Sequence, residues 1–251
     1  MATTDVTGVL VIAHGSRNPT WNQLVEEAVK RVETDLPITV GYLELVEGRL
    51  IPDGVQWLEA QGVNRILAVP LFVSSGSTHL EEIQYALGVK SRSRVETHLS
   101  PIRPQAEIVW CPAMDAHPLI LRLLKERVCK LSHSPGEESL LLVAHGSGQS
   151  GFQAVWNKGL RQLADGLQKR FGFPEVEVAM LQLGNLREKA KVLCRGRRLL
   201  ILPVFLSRGY FTDVVIPTEL EGIPCAYQEE TYLPHPLVSR WIEETVNRWA
   251  R

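Results

Sequence analysis

The chain has 251 residues, of which 45% are hydrophobic and 22% charged, a composition that can bury a core and excludes a disordered protein. Its 27 basic and 28 acidic side chains leave a net charge of −1, which excludes the basic field typical of nucleic-acid-binding proteins. The four cysteines form no CxxC pair, which argues against a disulfide framework and a thiolate metal site. No apolar run is long enough to cross a bilayer, so we expect a cytoplasmic protein without a membrane partner. The near-neutral charge predicts no nucleic-acid partner either.

Short apolar runs alternate with longer amphipathic segments along the first half of the chain. The strand-like runs cover residues 8–13, 38–43, 65–73 and 107–111. The helix-like segments cover residues 21–33, 51–61, a stretch from about residue 79, and 118–131. The Ser-, Arg- and Pro-rich stretch 89–105 is typical of a loop. This alternation predicts a parallel sheet with right-handed crossover connections.

The same order of segments then begins again. The matched pairs are LVIAHGS (10–16) with LLVAHGS (141–147), YLEL (42–45) with MLQL (180–183), ILAVPLFVSSG (66–76) with LLILPVFLSRG (199–209), and HPLILRLL (117–124) with HPLVSRWI (235–242). Matches in a constant order indicate an internal duplication. We therefore predict an α/β protein of two tandem domains, 1–134 and 135–251, each a parallel sheet flanked by helices.

Polar side chains follow the predicted strands of the first half. His14 directly follows the first strand, Glu44 ends the second, and His79 follows the third after a loop of Ser, Thr and Gly. Ligands of open parallel sheets bind beyond the carboxyl ends of the strands, and two imidazoles with one carboxylate suit Co, Ni, Fe or Zn. Taken singly, each residue has a structural alternative: a turn-stabilising histidine, a solvated glutamate, or a histidine that opens a helix.

The second copy has lost part of this set. His145 keeps the place of His14, but Gln182 stands where Glu44 stood, and Phe211 and Thr212 follow the third strand without a histidine. We therefore expect the first domain to carry the metal site and the second, degenerate domain to complete the cleft.

A glycine pattern in the second copy resembles a dinucleotide-binding loop. Residues 146–151 fit G-x-G-x-x-G after a strand-like run. The second strand of this half, however, ends in Gln182 and offers no carboxylate for ribose hydroxyls. Nucleotide binding is therefore not expected.

The motifs together resemble a known family. AHGSR (13–17), YLEL (42–45), VPLF (69–72) and the histidine that follows are similar to the class II tetrapyrrole chelatases of the CbiX/SirB type, the sirohydrochlorin cobalto- and ferrochelatases. The resemblance covers essentially the whole chain, as in the long forms with two fused chelatase-like (flavodoxin-like) halves. The segment from Pro70 to His79 is one residue longer than the family pattern, and Ser-Gly-Ser-Thr replaces a more apolar loop.

The resemblance implies an enzyme, a lyase that inserts a divalent metal (Co²⁺ foremost, or Fe²⁺) into sirohydrochlorin without ATP, in cobalamin or siroheme biosynthesis. It implies His14, Glu44 and His79 as metal ligands and catalytic residues, with no cofactor beyond the substrate ion, Co²⁺, Fe²⁺ or Ni²⁺. We expect a monomer with pseudo-two-fold halves. Two alternatives remain open: a metal- or tetrapyrrole-binding chaperone without turnover, and a small-molecule-binding module of two lobes.

The implied substrate is a flat ring with several carboxylates. A guanidinium can hold a carboxylate through two parallel hydrogen bonds, and Arg17 and Arg208 lie in strand-end loops. Hydroxyl groups of Ser16, Ser75 and Ser77 could donate further hydrogen bonds. We predict these five as substrate-binding residues, with solvated surface arginines and a flexible serine loop as the alternative.

Overall fold

The computed structural model describes residues 6–250, and its first half contains one four-stranded sheet with its helices. The elements are β1 (Thr7–Ala13), α1 (Pro19–Lys30), β2 (Ile38–Tyr42), α2 (Ile51–Ala60), β3 (Arg65–Pro70), α3 (Thr78–Ala86), β4 (Glu107–Trp110) and α4 (Pro118–Leu131). The strands are parallel, in the order β2-β1-β3-β4. Residues 87–106, between α3 and β4, form no regular element, as predicted for most of this stretch.

The second half repeats this plan. Its elements are β5 (Glu138–Ala144), α5 (Ser150–Phe171), β6 (Glu175–Met180), α6 (Leu186–Leu193), β7 (Arg198–Val204), α7 (Ile216–Leu220), β8 (Cys225–Tyr227) and α8 (Pro236–Trp249). Short 3₁₀ turns lie at Pro135–Glu137 and Leu181–Leu183, and a π-helical turn, Phe211–Val215, leads into α7. All strands are parallel, in the order β6-β5-β7-β8. The predicted duplicated α/β fold is confirmed.

The central strand of each sheet explains the apolar runs of the sequence. In β1 every residue from Gly8 to Ala13 is buried, because helices cover both faces of a parallel sheet. Val11 lies between Val40 of β2 and Val69 of β3. The chain reverses its winding direction between β1 and β3, and such a switch point is where open α/β sheets bind ligands.

Contacts divide the described residues into two compact units. The first consists of residues 6–72, 77–114 and 238–250, and the second of residues 73–76 and 115–237. Helix α4 therefore belongs to the second unit, where it packs against α5 and β7. Most of α8 belongs to the first unit, where Arg65 donates a hydrogen bond to the carbonyl of Trp249. The boundary at 134/135 rests on the sequence repeat and stays a prediction.

Helix α1 differs from the sequence prediction by a few residues. It begins at Pro19 instead of residue 21 and ends at Lys30 instead of residue 33. The side chain of Asn18 accepts a hydrogen bond from the amide of Thr20, and Pro19 has no amide hydrogen that needs a partner. Of the helices between residues 6 and 250, none is long and apolar enough to span a membrane.

Candidate functional site

The loop after β1 brings His14 and Glu44 together. The amide of Glu44 donates to the carbonyl of His14 at 3.1 Å. Gly15 lies between them with φ of +92°, and a Cβ there would be 2.0 Å from the carbonyl oxygen of Glu44. Only glycine allows this close approach of two backbones. The glycine that follows His14 is therefore required by the way this loop meets the end of β2.

Helix α1 holds the rest of this loop. The side chain of Asn22 accepts from the amide of Ser16 at 3.0 Å and donates to its carbonyl at 2.8 Å. The hydroxyl of Tyr42, which is fully buried, donates to the carbonyl of Asn22 at 3.2 Å. The Tyr of the YLEL motif thus anchors the helix that positions the loop after β1.

The imidazole of His14 is oriented by the backbone of the next residue. Its Nδ1 lies 3.1 Å from the carbonyl oxygen of Gly15. We assign the ring hydrogen to Nδ1 on the basis of this contact, which leaves the lone pair of Nε2 available as a ligand. Nε2 lies 3.7 Å from Oε1 of Glu44, and both side chains are open to solvent, with 36% and 54% exposed.

His79 completes the cluster from the first turn of α3. Its ring meets the ring of His14 edge to face, with centroids 4.8 Å apart and an angle of 79°. Its Nδ1 lies 3.5 Å from Oε1 of Glu82. The three predicted ligands are therefore neighbours at one edge of the first sheet. In residues 6–250, however, no group of three or more His, Cys, Asp or Glu is already converged on a metal position.

The second copy repeats the geometry with different chemistry. Phe211 meets the ring of His145 edge to face, with centroids 4.8 Å apart and an angle of 81°. The amide nitrogen of the Gln182 side chain lies 3.4 Å from Nε2 of His145 and donates to it. Phe211 thus occupies the position that His79 has in the first copy. An amide and a phenyl ring replace a carboxylate and an imidazole, so this copy lacks the ligand set.

Of the predicted substrate-binding residues, three lie in the first unit. The hydroxyl of Ser16 accepts from the amide of Asn18 at 3.1 Å. Arg17 is exposed and makes no ion pair with any residue from 6 to 250. Ser77 precedes α3, and its side chain makes no capping hydrogen bond. Their part in substrate binding stays a prediction.

Ser75 and Arg208 lie in the second unit, and both already have partners. The hydroxyl of Ser75 donates to Asp115 at 2.5 Å. The guanidinium of Arg208 lies 3.1 Å from Asp213 and 3.0 Å from Glu229. The hydrogen bond and charge of Asp213 raise the pKa of Arg208. A substrate carboxylate at Arg208 would have to share it with two protein carboxylates.

Two residues that position the cluster were not identified from the sequence. Asn22 fixes the loop after β1, and nothing in the periodicity of α1 separates it from other polar residues. Glu82 contacts His79, and here the sequence does hold a signal, because residues three apart lie on the same face of a helix.

Comparisons with known proteins show which chains this one is similar to. The sirohydrochlorin cobaltochelatase of Methanothermobacter thermautotrophicus is 28% identical over 131 residues, which cover 48% of this chain and 90% of the relative. SirB from Bacillus subtilis with Fe³⁺ superposes with a TM-score of 0.76 at 20% identity, over 96% of this chain and 94% of that one. The sirohydrochlorin chelatase SirB from Bacillus subtilis subspecies spizizenii, in complex with cobalt, gives a TM-score of 0.71 at 17% identity, with the same coverage.

The archaeal relative corresponds in length to one copy of the repeat, whereas the SirB structures match both copies. The CbiX family profile matches this chain twice, over residues 8–131 and 139–248. Each match spans one sheet with its helices, and together they cover nearly all of the sequence. The chain belongs to the CbiX family, as a form with two fused copies.

Proposed function

We propose that this protein inserts a divalent metal ion, Co²⁺ foremost or Fe²⁺, into sirohydrochlorin without ATP, as a step of cobalamin or siroheme biosynthesis. The observation that carries the proposal is the cluster of His14, Glu44 and His79 at the switch point of the first sheet. Relatives of the same family are named sirohydrochlorin cobaltochelatases, and a structural relative is described with cobalt. The metal ion is a substrate of this reaction.

The cluster suits an ion that must be released again. Two neutral imidazoles and one carboxylate bind borderline divalent metals and leave coordination positions open for ring nitrogens. The ligands are exposed and must move together to bind, so the ion is held by few bonds in an accessible place. A deeply buried, closed site would hold the metal too firmly for transfer.

Protons must leave the ring as the metal enters it. Two pyrrole N–H bonds break and metal–nitrogen bonds form, so each turnover releases two protons. We assign His14 as a ligand that accepts a proton through Nε2 when the metal departs, because its Nδ1 hydrogen is held by a carbonyl. His79 is the second ligand and a proton shuttle, and Glu44 is the ligand that offsets the charge of the ion.

The carboxylates of the ring require cationic and hydrogen-bonding partners. We propose Arg17 as the main one, since it lies in the same loop as His14 and has no competing carboxylate in residues 6–250. Ser16 and Ser77 are proposed donors at the same edge. Ser75 and Arg208 are proposed as weaker contributors, because their present partners compete with the substrate.

The test is the initial rate of metal insertion, followed by the visible absorbance of sirohydrochlorin with Co²⁺, Fe²⁺ or Ni²⁺. We expect His14→Ala to lower the enzyme-dependent rate by about 100-fold or more at low metal concentration. His145→Ala is the matched control, because it removes the equivalent ring from the copy that lacks the ligand set, and we expect it to keep the rate within about threefold.

Each outcome of this experiment separates the candidate functions. Wild-type turnover in His14→Ala would contradict the assignment of the site. Binding of metal and ring by the wild type without any acceleration over the blank would instead support the chaperone function. The rate ratio among the three ions decides which metal the enzyme prefers.

A further inference from the structure

We propose that Glu82 is a positioning residue for the metal ion, which acts by fixing the orientation of the His79 imidazole. The inference rests on the proposed function of the cluster. It concerns a residue that does not itself contact the ion.

Glu82 is placed between His79 and a loop that holds it. One carboxylate oxygen, Oε1, lies 3.5 Å from Nδ1 of His79 one helical turn earlier. The other, Oε2, accepts a hydrogen bond from the hydroxyl of Thr97 at 3.1 Å. Thr97 is fixed in turn, since its Oγ1 accepts from the amide of Leu99 at 3.1 Å. Only 19% of the Glu82 side chain is exposed, against 42% for His79, so the carboxylate is the more buried of the two partners.

A carboxylate beside Nδ1 selects the form of the imidazole that binds metals. It favours a hydrogen on Nδ1, so that Nε2 carries the lone pair, and it makes Nε2 a stronger electron donor. The distance of 3.5 Å is slightly long for a hydrogen bond, so Nδ1 and the carboxylate must approach each other further for one to form. His14 meets the same requirement with the carbonyl of Gly15. The two histidines are thus oriented by two different acceptors.

The second copy lacks this carboxylate together with the ligand that it would serve. Phe211 replaces the imidazole, and three residues later the chain has Val214, 47% of which is exposed. The neighbouring position keeps an acid in both copies, Glu81 in the first and Asp213 in the second, and both form ion pairs. The acid that forms ion pairs is therefore present in both copies. The acid that faces the metal-binding histidine is present only in the first copy, where that histidine is also present.

The test is Co²⁺ affinity of the full chain, measured by visible absorbance titration without the ring. We expect Glu82→Ala to weaken Co²⁺ binding by about 10- to 100-fold, the range known for partners of metal-binding histidines. Glu82→Gln keeps an oxygen near Nδ1 without the charge and should lie between the wild type and Glu82→Ala. Thr97→Val removes only the anchor, and we expect a loss smaller than that of Glu82→Ala.

A double-mutant cycle separates positioning from a general structural effect. If Glu82 acts through His79, then Glu82→Ala should weaken Co²⁺ binding no further in a His79→Ala background. The matched control is Glu59→Ala, because Glu59 accepts hydrogen bonds from the amides of Gln105 and Ala106 and so anchors the same irregular segment away from the cluster. We expect it to lower the urea midpoint and to leave Co²⁺ affinity unchanged.

The outcomes distinguish this inference from the proposed function. If His79→Ala weakens Co²⁺ binding but Glu82→Ala does not, or if their effects add, the positioning role is refuted and the metal site stands. An equal loss of affinity in Glu59→Ala and Glu82→Ala would also refute it. If His14→Ala and His79→Ala both bind Co²⁺ as the wild type does, the proposed metal site itself is wrong.

Discussion

Glu81 offers a sharp test of how the segment after α3 is held in place. Its carboxylate is buried, with 3% of the side chain exposed, and it meets two cations from the irregular segment 87–106. The guanidinium of Arg94 donates two hydrogen bonds to it, from Nε to Oε1 at 2.9 Å and from Nη2 to Oε2 at 2.7 Å. The Nζ of Lys90 lies 2.5 Å from Oε2. The substitution Glu81→Gln keeps the size of the side chain and removes the charge that gathers these two residues.

The magnitude follows from the ionisation of this carboxyl. Hydrogen bonds from Arg94 lower the pKa of Glu81, and the hydrogen bond and positive charge of Lys90 lower it further. Burial opposes this, and the pKa falls from 4.5 to about 2. A shift of this size corresponds to about 3 kcal/mol of folding free energy at neutral pH. Because the folded-state pKa is lowered, this contribution is complete above about pH 5 and is lost as the pH falls towards 2, with about 1 kcal/mol left near pH 3.

The assay is urea unfolding of the wild type and Glu81→Gln, followed by circular dichroism at several pH values. We expect the difference in unfolding free energy to be largest at pH 6–7 and to shrink steadily below about pH 5. Glu244→Gln is the control, since this glutamate forms an exposed ion pair with Arg240 in the same unit, and its loss should cost less than about 0.5 kcal/mol. A difference that stays constant from pH 7 to pH 3 would refute the reasoning.

The remaining predictions concern the loops that carry the two clusters. Gly15→Ala should lower the unfolding free energy by about 2 kcal/mol or more and weaken Co²⁺ binding, because a Cβ at φ of +92° would clash with the carbonyl oxygen of Glu44. Urea unfolding measures the first effect and metal titration the second. Gln182→Glu combined with Phe211→His should give the second copy a weak Co²⁺ site, seen as a second equivalent in the titration, since the rings and backbones already match those of the first copy. Unchanged stability in the first case, or one equivalent in the second, would contradict these expectations.

Much of the fold could be predicted because it depends on local pattern. The central strands are buried on both faces, so their sequences are unbroken apolar runs. Each run predicts the bounds of a strand to within a few residues. The repeat predicts two sheets with the same strand order. Helix α4 belongs to the second compact unit and most of α8 to the first. This assignment depends on tertiary contacts, which a repeat pattern in the sequence does not reveal.

The cluster could be predicted in part for the same reason. His14 and Glu44 follow directly from strand ends, and a parallel sheet places such residues at one edge. Glu82 and Thr97 are fifteen positions apart, and their contact depends on the path of a segment without periodicity. The contact of Phe211 with His145 could not be predicted from the sequence. The loop after β7 is one residue shorter than the loop after β3, so the two copies are no longer aligned beyond it.

The histidine shared by the two copies is not by itself evidence of a metal site. Nδ1 of His145 lies 3.1 Å from the carbonyl of Gly146, the same contact that His14 makes with its own neighbour. Each histidine therefore stabilises the turn after the central strand, whatever else it does. The copies differ in the ring that meets this histidine, His79 or Phe211, and in the group facing Nε2, a carboxylate in the first copy and an amide donor in the second. An amide that donates into the lone pair of Nε2 competes with a metal ion, whereas a carboxylate attracts one, and for that reason we place metal transfer in the first copy alone.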